Sequence, residues 1–294
     1  MQTVPTASVS RRSHSALPHF DRPTYLMCPP HWYDVDYVIN PWMAGNLHRP
    51  SRDRAFAQWR QLFDGLRQHA DIRVLHAERG CPDMTFIAHT ALLQHGVAAL
   101  SSFAHSQRQP EEAHLQRWLE DTGFLIWETP RETAFEGGGD AIFDETGRTL
   151  WVAHGVRTCE RSHNHLQAAW HVRVEPLHLT DPRFYHLDTC FTPLSGGFVL
   201  YYPEAFDDAS RKQIEAVYSP EHRIIATEAE ATQFACNVIN IGKTILMGEI
   251  QGTLATRLHT LGFVVQTFPM SEFLCGGGSV RSLALRLSDP SLQA

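Results

Sequence analysis

Short apolar runs of strand length recur along the whole chain, and they limit its possible folds more than any other feature. They include TYLMC, IRVLHA, FLIWE, TLWVAHG, GGFVLYY, FVVQTF and SLALRL. Runs of this length, flanked by turn residues, are typical of strands. None approaches the roughly 18 apolar residues of a membrane helix, so we expect no membrane span.

Amphipathic segments that predict helices lie between these runs. SRDRAFAQWRQLFDGLRQHA has apolar residues at helical spacing, with Ser51 placed as the N-cap. EEAHLQRWLEDTG ends on a C-cap glycine, and PEAFDDASRKQIEAVY is the third segment. Strand pairs followed by a helix recur without a Gly/Ser/Pro-rich linker. The sequence therefore predicts one α/β domain of repeated small units over 21–294, preceded by a mobile leader over 1–20.

Charge and cysteine usage narrow the possible partners and location. The net charge is −7, and the 25 lysines and arginines form no basic run, which argues against nucleic acid and anionic membranes as partners. The first 20 residues lack the apolar core of a secretory signal. Six cysteines without a CxxC pair predict reduced thiols in a cytoplasmic protein.

Four segments carry more chemistry than packing requires, although each alone also fits an ordinary turn or strand cap. FEGGGD (135–140) and CGGGSVRSL (275–283) each contain three glycines, which let a backbone approach a ligand closely. In YHLDT (185–189), strand alternation would place His186 and Asp188 on one face, as a base beside a cation-binding carboxylate. In PDMTFIAH (82–89), the same alternation would place Asp83 and His89 together.

Metal and nucleotide motifs are missing from the sequence, which has no HExxH, GxGxxG or phosphate loop. His163-Asn164-His165 is the best local candidate for metal binding, but no third ligand follows at a defined spacing. We therefore predict neither a metal nor a cofactor.

Several segments, taken in chain order, match a known family pattern. They are MCPPHWYDVDYVINPWMAGN (27–46), CPDMTFIAH (81–89), Arg108 in RQPEE, FEGGGD (135–140), GVRT (155–158), YHLDTCF (185–191), FACNVIN (234–240) and GGGSVRSLAL (276–285). Together they resemble the pentein superfamily, which includes arginine deiminases, dimethylarginine dimethylaminohydrolases, arginine dihydrolases and amidinotransferases. The first block is closest to the dihydrolase-like branch. The resemblance implies a five-bladed α/β propeller of pseudo-fivefold ββαβ units around a polar channel.

The resemblance also implies covalent thiol catalysis on a guanidino or ureido substrate, in which a cysteine attacks the guanidinium carbon. His186 matches the acid/base and Glu136 the carboxylate that orients it. Asp188 matches a guanidinium clamp. The other matched positions are substrate-binding ones: Asp83 near the polar end of the substrate, Arg108 and Arg157 at its carboxylate, and Asp140, His89 and Asn40.

Two positions depart from the family pattern. Ser282 stands where the nucleophilic cysteine belongs, and a serine hydroxyl ionises far less readily than a thiol, so we predict little or no turnover. Cys275 is a thiol that could replace it. His89 stands where the family usually has Asp or Asn, which favours a substrate less basic than arginine.

Three explanations of Ser282 follow: a Cys-to-Ser change made to trap a substrate complex, a natural pseudoenzyme that binds a guanidino ligand, or a genuine serine variant. The intact remainder of the site favours the first. The implied reaction is hydrolysis of a C–N bond, with amidino transfer as the alternative. The resemblance also allows a homodimer.

Overall fold

Each sheet in this protein is built on the same plan, which a computed structural model shows for residues 9–10 and 17–290. A first strand pairs antiparallel with a second, and a helical crossover leads to a third strand that is parallel to the second. In chain order the strands are β1 (Val9–Ser10), β2 (Thr24–Met27), β3 (Asp71–Val74), β4 (Ala91–Gln94), β5 (Val97–Leu100), β6 (Leu125–Trp127), β7 (Ala141–Phe143), β8 (Thr149–His154), β9 (Arg173–His178), β10 (Phe191–Leu194), β11 (Phe198–Tyr201), β12 (Arg223–Ile225), β13 (Ile239–Ile241), β14 (Thr244–Gly248), β15 (Val264–Phe268) and β16 (Ala284–Ser288).

The helices complete these units. In chain order they are α1 (Arg52–Leu66), α2 (Gln109–Asp121), α3 (Gly137–Asp140), α4 (Ser162–Trp170), α5 (Asp208–Val217), α6 (Glu228–Ala231), α7 (Leu254–Thr260) and α8 (Ser271–Leu274). Five of them, α1, α2, α4, α5 and α7, are the crossovers of the five sheets. The predicted five-bladed arrangement of ββαβ units is thus confirmed.

The first blade is assembled from both halves of the chain. Its sheet has the order β16-β2-β3, with Ala284 opposite Met27 in the antiparallel pair and Thr24 opposite Asp71 in the parallel pair. The other four blades use consecutive strands, and β1 adds to the edge of the second blade by pairing with β6. The last strand therefore closes the ring of blades onto the first.

The helix predictions are correct where the apolar periodicity is long. Helix α1 begins after Ser51, whose side chain accepts a hydrogen bond from the Arg54 N–H. Helix α2 is followed by Gly123 in a left-handed conformation (φ +90°), as a C-terminal glycine requires. The prediction overlooked α4 and α7, because 9 and 7 residues give little periodicity to detect.

The predicted leader lies largely outside the described residues, at 1–8 and 11–16. Within it, Val9–Ser10 pairs with β6, and the Phe20 ring stacks on that of Phe124 at 6.1 Å. None of the helices in the described part of the chain has the length and apolarity to cross a membrane.

Polar side chains meet where the first strands of the blades begin. Short turns precede these strands: Pro82–Thr85 and Ile87–His89 before β4, α3 before β7, Leu187–Thr189 before β10, and Arg281–Leu283 before β16. These turns pack against one another, with Ile87–His89 touching both α3 and Arg281–Leu283. The candidate residues are brought together by this convergence.

Candidate active site

His186 and Glu136 form a hydrogen-bonded pair at the centre of this convergence, and both side chains are fully buried. The Nε2 atom of His186 lies 2.7 Å from Oε2 of Glu136, which also accepts a 2.7 Å hydrogen bond from Arg157. Burial opposes ionisation, yet the Arg157 guanidinium and the His186 hydrogen bond hold the pKa of Glu136 well below its usual range. Glu136 is therefore a carboxylate, and it accepts the Nε2 proton of His186.

The other ring nitrogen of His186 is available for chemistry. Nδ1 is buried and has no hydrogen-bond partner among the described residues. Burial and the neighbouring His89 lower the pKa of His186 to about 3, so the ring is neutral and Nδ1 carries a lone pair. An oriented neutral imidazole of this kind can accept a proton from a ligand.

Asp188 and His89 face each other beside this pair. Oδ2 of Asp188 lies 3.4 Å from Nε2 of His89, and the rings of His89 and His186 are 4.4 Å apart. Within the described part of the chain, neither carboxylate oxygen of Asp188 has a hydrogen-bond partner, although the side chain is fully buried. Such an orphaned carboxylate indicates a place for a ligand with N–H groups.

Ser282 is held by Asn237. The Ser282 backbone N–H donates to Asn237 Oδ1 at 3.2 Å, and the Asn237 amide donates to the Ser282 hydroxyl at 3.1 Å. The same amide also donates to the Asp188 carbonyl at 3.3 Å. Asn237 thus joins the fifth blade to Ser282, the residue that the family resemblance predicts at the nucleophile position.

The two remaining carboxylates differ in role. Asp83 accepts a 3.0 Å hydrogen bond from the Tyr37 hydroxyl through Oδ2, while its buried Oδ1 has no hydrogen-bond partner in residues 9–10 and 17–290. Burial raises the pKa of Asp83, against the pull of Arg108. Asp140 accepts hydrogen bonds from Thr158 and from the Leu187 N–H, so it supports the turn that carries His186 and Asp188.

Both predicted substrate-gripping arginines lie in buried ion pairs. Arg157 donates to Glu136 and to the Ile39 carbonyl, each at 2.7 Å. Arg108 donates to the two carboxylate oxygens of Glu111 at 2.9 and 2.7 Å. In this structure both guanidinium groups donate hydrogen bonds to other groups of the protein. Their role at a substrate carboxylate stays a prediction.

Asn40 lies against the glycine segment 276–278. The Asn40 side chain caps the turn Pro41–Met43 and donates to the Gly276 carbonyl at 3.1 Å. Gly277 adopts φ +87°, where a side chain is strained. A Cβ on Gly139 would lie 2.9 Å from a carbon of the His89 ring and 3.1 Å from Nδ1 of His186, so this glycine makes room for both rings.

The strand conformations predicted for YHLDT (185–189) and PDMTFIAH (82–89) are wrong, whereas Ser282 lies just before a final strand, as predicted. His186 is followed by the 3-10 turn Leu187–Thr189, and Asp83 and His89 lie in two separate 3-10 turns rather than along one strand. Each true strand begins two residues after the last residue of its turn, at Ala91 and Phe191. The turns put these side chains together where strand alternation was expected to do so.

Cys275 and the His163/His165 pair lie apart from these contacts. Cys275 caps the end of α8, its thiol donates to the Ser271 carbonyl at 3.4 Å, and burial raises its pKa. Both features argue against a preformed thiolate. On α4, His163 packs on His154 and His165 on Trp127, so the two imidazoles have different neighbours.

Two groups of side chains within the described residues have the spacing of metal ligands. His89, His186 and Asp188 each offer one ligand atom within 4.8 Å of the others. His89 fits this role poorly, because its Nδ1 faces the Arg108 guanidinium, a donor, at 3.1 Å. The neutral ring then carries its proton on Nε2, and a metal ion at Nε2 would require the loss of that hydrogen bond. Asp34, Asp36 and His48 form another group, but its members are more exposed.

The sequence motifs assign no functional role to Asn237 and Tyr37, which contact the site residues Ser282 and Asp83. Both lie within matched segments, FACNVIN and YVIN. The fivefold repeat provides the missing signal for Asn237, since a polar residue precedes the first strand of every other blade.

Comparison with known proteins gives the family. The sequence profile of the N,N dimethylarginine dimethylhydrolases (eukaryotic) matches residues 36–286. The bifunctional arginine dihydrolase/ornithine cyclodeaminase ArgZ of Synechocystis sp. is 46% identical over 267 residues, which are 91% of this chain and 38% of that protein. An N(G),N(G)-dimethylarginine dimethylaminohydrolase of Mycobacterium tuberculosis is 31% identical, over 90% of this chain and 85% of that protein.

Solved structures agree with this result. The N-terminal domain of ArgZ, as a cysteine-to-serine mutant bound to substrate, superposes with a TM-score of 0.90 at 45% identity, over 91% of this chain and 98% of that one. This chain spans only about two fifths of the length of full ArgZ, with 38% covered. The resemblance to the pentein superfamily is confirmed, and the chain belongs to the N,N-dimethylarginine dimethylhydrolase family.

Proposed function

We propose that this protein binds an arginine-like small molecule through its guanidino or ureido group, on a scaffold built to hydrolyse a C–N bond. One observation carries the proposal: buried polar atoms of Asp83, His186 and Asp188 lack hydrogen-bond partners among the residues that the structure describes. Two carboxylates and a neutral imidazole suit a planar group rich in N–H donors. The relatives support the same chemistry, since arginine dihydrolase and dimethylarginine dimethylaminohydrolase are hydrolases of such substrates.

Ser282 occupies the nucleophile position in this proposal. Its hydroxyl is hydrogen-bonded to the Asn237 amide. An amide is not a base, so this contact does not deprotonate the hydroxyl and does not make it a stronger nucleophile. We therefore propose that the chain as written binds its ligand with little or no turnover, as expected of a cysteine changed to serine. The similar ArgZ domain was crystallised with substrate in such a mutant form.

The decisive experiment restores the thiol. Ser282→Cys is expected to release ammonia or an amine from a panel of guanidino and ureido compounds, with mass spectrometry identifying the products. A covalent adduct on the cysteine in quenched samples would support the mechanism. Ser279→Cys is the matched control, because Ser279 is equally buried in the same glycine segment.

The outcome separates this proposal from its alternatives. Transfer of the amidino group to an added amine, instead of release to water, would identify an amidinotransferase. Ligand binding without turnover in Ser282→Cys would identify a pseudoenzyme. The absence of both ligand binding and turnover in Ser282→Cys would refute the proposal.

The proposed location is the cytoplasm, and the proposed assembly is a homodimer. The six cysteines are all free thiols, which supports a reducing, cytoplasmic location. A homodimer rests on the family resemblance, and sedimentation equilibrium tests it.

A further inference from the structure

Arg108 determines which nitrogen of His89 carries the proton. Its terminal NH1 group lies 3.1 Å from Nδ1 of His89. A guanidinium has N–H donors and no acceptor, so Nδ1 must accept this hydrogen bond. Burial lowers the pKa of His89, which makes the ring neutral and leaves its single proton on Nε2.

Arg108 has little freedom to turn away from His89. Its Nε and NH2 groups donate to Glu111 at 2.9 and 2.7 Å, and NH2 also lies 3.3 Å from the carbonyls of Asp83 and Phe86. The side chain is only 3% exposed. A guanidinium tied in this way acts as a fixed donor, and the His89 tautomer is fixed with it.

The site therefore offers a hydrogen-bond donor next to an acceptor. The donor is Nε2–H of His89, and the acceptor is the Asp188 carboxylate, 3.4 Å away. Both side chains are at most 2% exposed, so water cannot readily satisfy an unmatched group. A guanidinium carries only donors, and one of its N–H groups would face the N–H of His89.

We infer that the ligand group at His89 and Asp188 is an uncharged ureido group, as in citrulline, rather than a guanidinium. This rests on the proposed function and specifies its substrate class. The ureido oxygen accepts from Nε2–H of His89, and the ureido N–H groups donate to Asp188. The tautomer thus predicts a ligand group other than the guanidinium of arginine, the substrate in the names of the similar arginine dihydrolases.

The charges around the site fit an uncharged ligand group. Arg108 is paired with Glu111, and Arg157 with Glu136. The Arg281 guanidinium, next to Ser282 in the chain, interacts electrostatically with Asp188. Part of the negative charge that would attract a guanidinium is therefore already compensated.

Binding to the unchanged protein tests the inference directly. Isothermal titration with L-citrulline and L-arginine is expected to give a Kd at least about tenfold lower for citrulline, because a buried donor facing a donor is left unsatisfied. His89→Asp replaces the donor with an acceptor and is expected to reverse the preference. His76→Asn is the matched control, since His76 is exposed, and it should leave both Kd values unchanged.

A second measurement needs no ligand. Nitrogen-15 NMR of histidine-labelled protein reports which ring nitrogen is protonated, and the signal lost in His89→Asn assigns His89. Protonated Nε2 supports the inference, and a bare Nε2 overturns it. Equal or tighter binding of arginine also overturns it, while the proposed function stands. Failure of both ligands to bind would refute the proposed function and this inference with it.

Discussion

Asn237 and Ser282 show how much of this site depends on single hydrogen bonds. The Asn237 amide satisfies the backbone N–H and the hydroxyl of Ser282 and also the carbonyl of Asp188. All three residues are fully buried. A buried group that loses its partner costs more than the hydrogen bond itself contributes, because water cannot replace the partner.

This asymmetry predicts different costs for two small changes. Asn237→Ala is expected to lower the free energy of unfolding by about 2–4 kcal/mol, since it strands the Ser282 N–H and the Asp188 carbonyl. Ser282→Ala keeps the backbone contact and should cost less than about 1 kcal/mol. Urea denaturation measures both, and equal losses would contradict the role given to Asn237.

His186 makes stability depend on pH. Its folded pKa of about 3 lies below the usual value of 6.5, so the unfolded chain binds more protons between these values. Its contribution to stability is therefore complete above about pH 6.5 and is lost as the pH falls toward 3, by up to about 1.4 kcal/mol per pH unit. His186→Gln should flatten this slope in denaturation curves between pH 4 and 6.5. His76→Asn should leave the slope as it is.

The turns before the first strands carry most of the residues of the proposed site. In α3, Gly139 faces the rings of His89 and His186 without a side chain between them. The backbone there does not need a positive φ, so the glycine is required for space alone.

Filling that space should affect binding more than folding. Gly139→Ala is expected to weaken ligand binding at least about tenfold, because its Cβ would displace His89 or His186. Gly262→Ala is the contrasting control: Gly262 has φ +89° and open space around it, so backbone strain should cost roughly 1 kcal/mol and leave binding unchanged. Calorimetric binding and thermal melting separate the two effects, and normal binding by Gly139→Ala would contradict this account.

The sequence predicted elements well and local conformations less well. Helix α1 and the five-unit plan follow from periodicity and from the family resemblance. The sequence does not predict the 3-10 turns at His89 and Asp188. Polar residues two positions apart are compatible both with a strand and with a short turn, so their spacing does not distinguish the two. The ion pair of Arg157 with Glu136 was also beyond prediction, because the two residues lie 21 positions apart and meet only in the folded chain. Arg108 and Glu111 are three positions apart at the start of α2, but their local spacing does not show that the pair is buried.

At the scale of the molecule, the ring of blades is closed by β16 on β2. Ser282 lies two residues before β16, in the turn Arg281–Leu283, so the proposed nucleophile position and the closure belong to one segment. Leu285 and Leu287 of β16 are buried against residues of the first two blades. Loss of their packing should therefore affect the whole ring.

This predicts a single cooperative transition that is sensitive to β16. Leu285→Ala is expected to cost about 2–4 kcal/mol, whereas Arg286→Ala on the same strand should cost less than about 1 kcal/mol. Circular dichroism and fluorescence should report coincident unfolding curves for both variants. Separate transitions would instead show that the blades unfold as independent repeats.

The pairing of Thr24 with Ser288 has a consequence for engineering. Two positions so close in space can be joined by a short linker, and new ends can be opened at an exposed tip between blades, such as Gly80. A circular permutant of this kind loses β1 and its pairing with β6, because β1 lies before Thr24. It keeps the three strands that every blade shares, although β16 and β2 become neighbours in sequence. The order in which the blades are read along the chain could then be changed without changing the ring that they form.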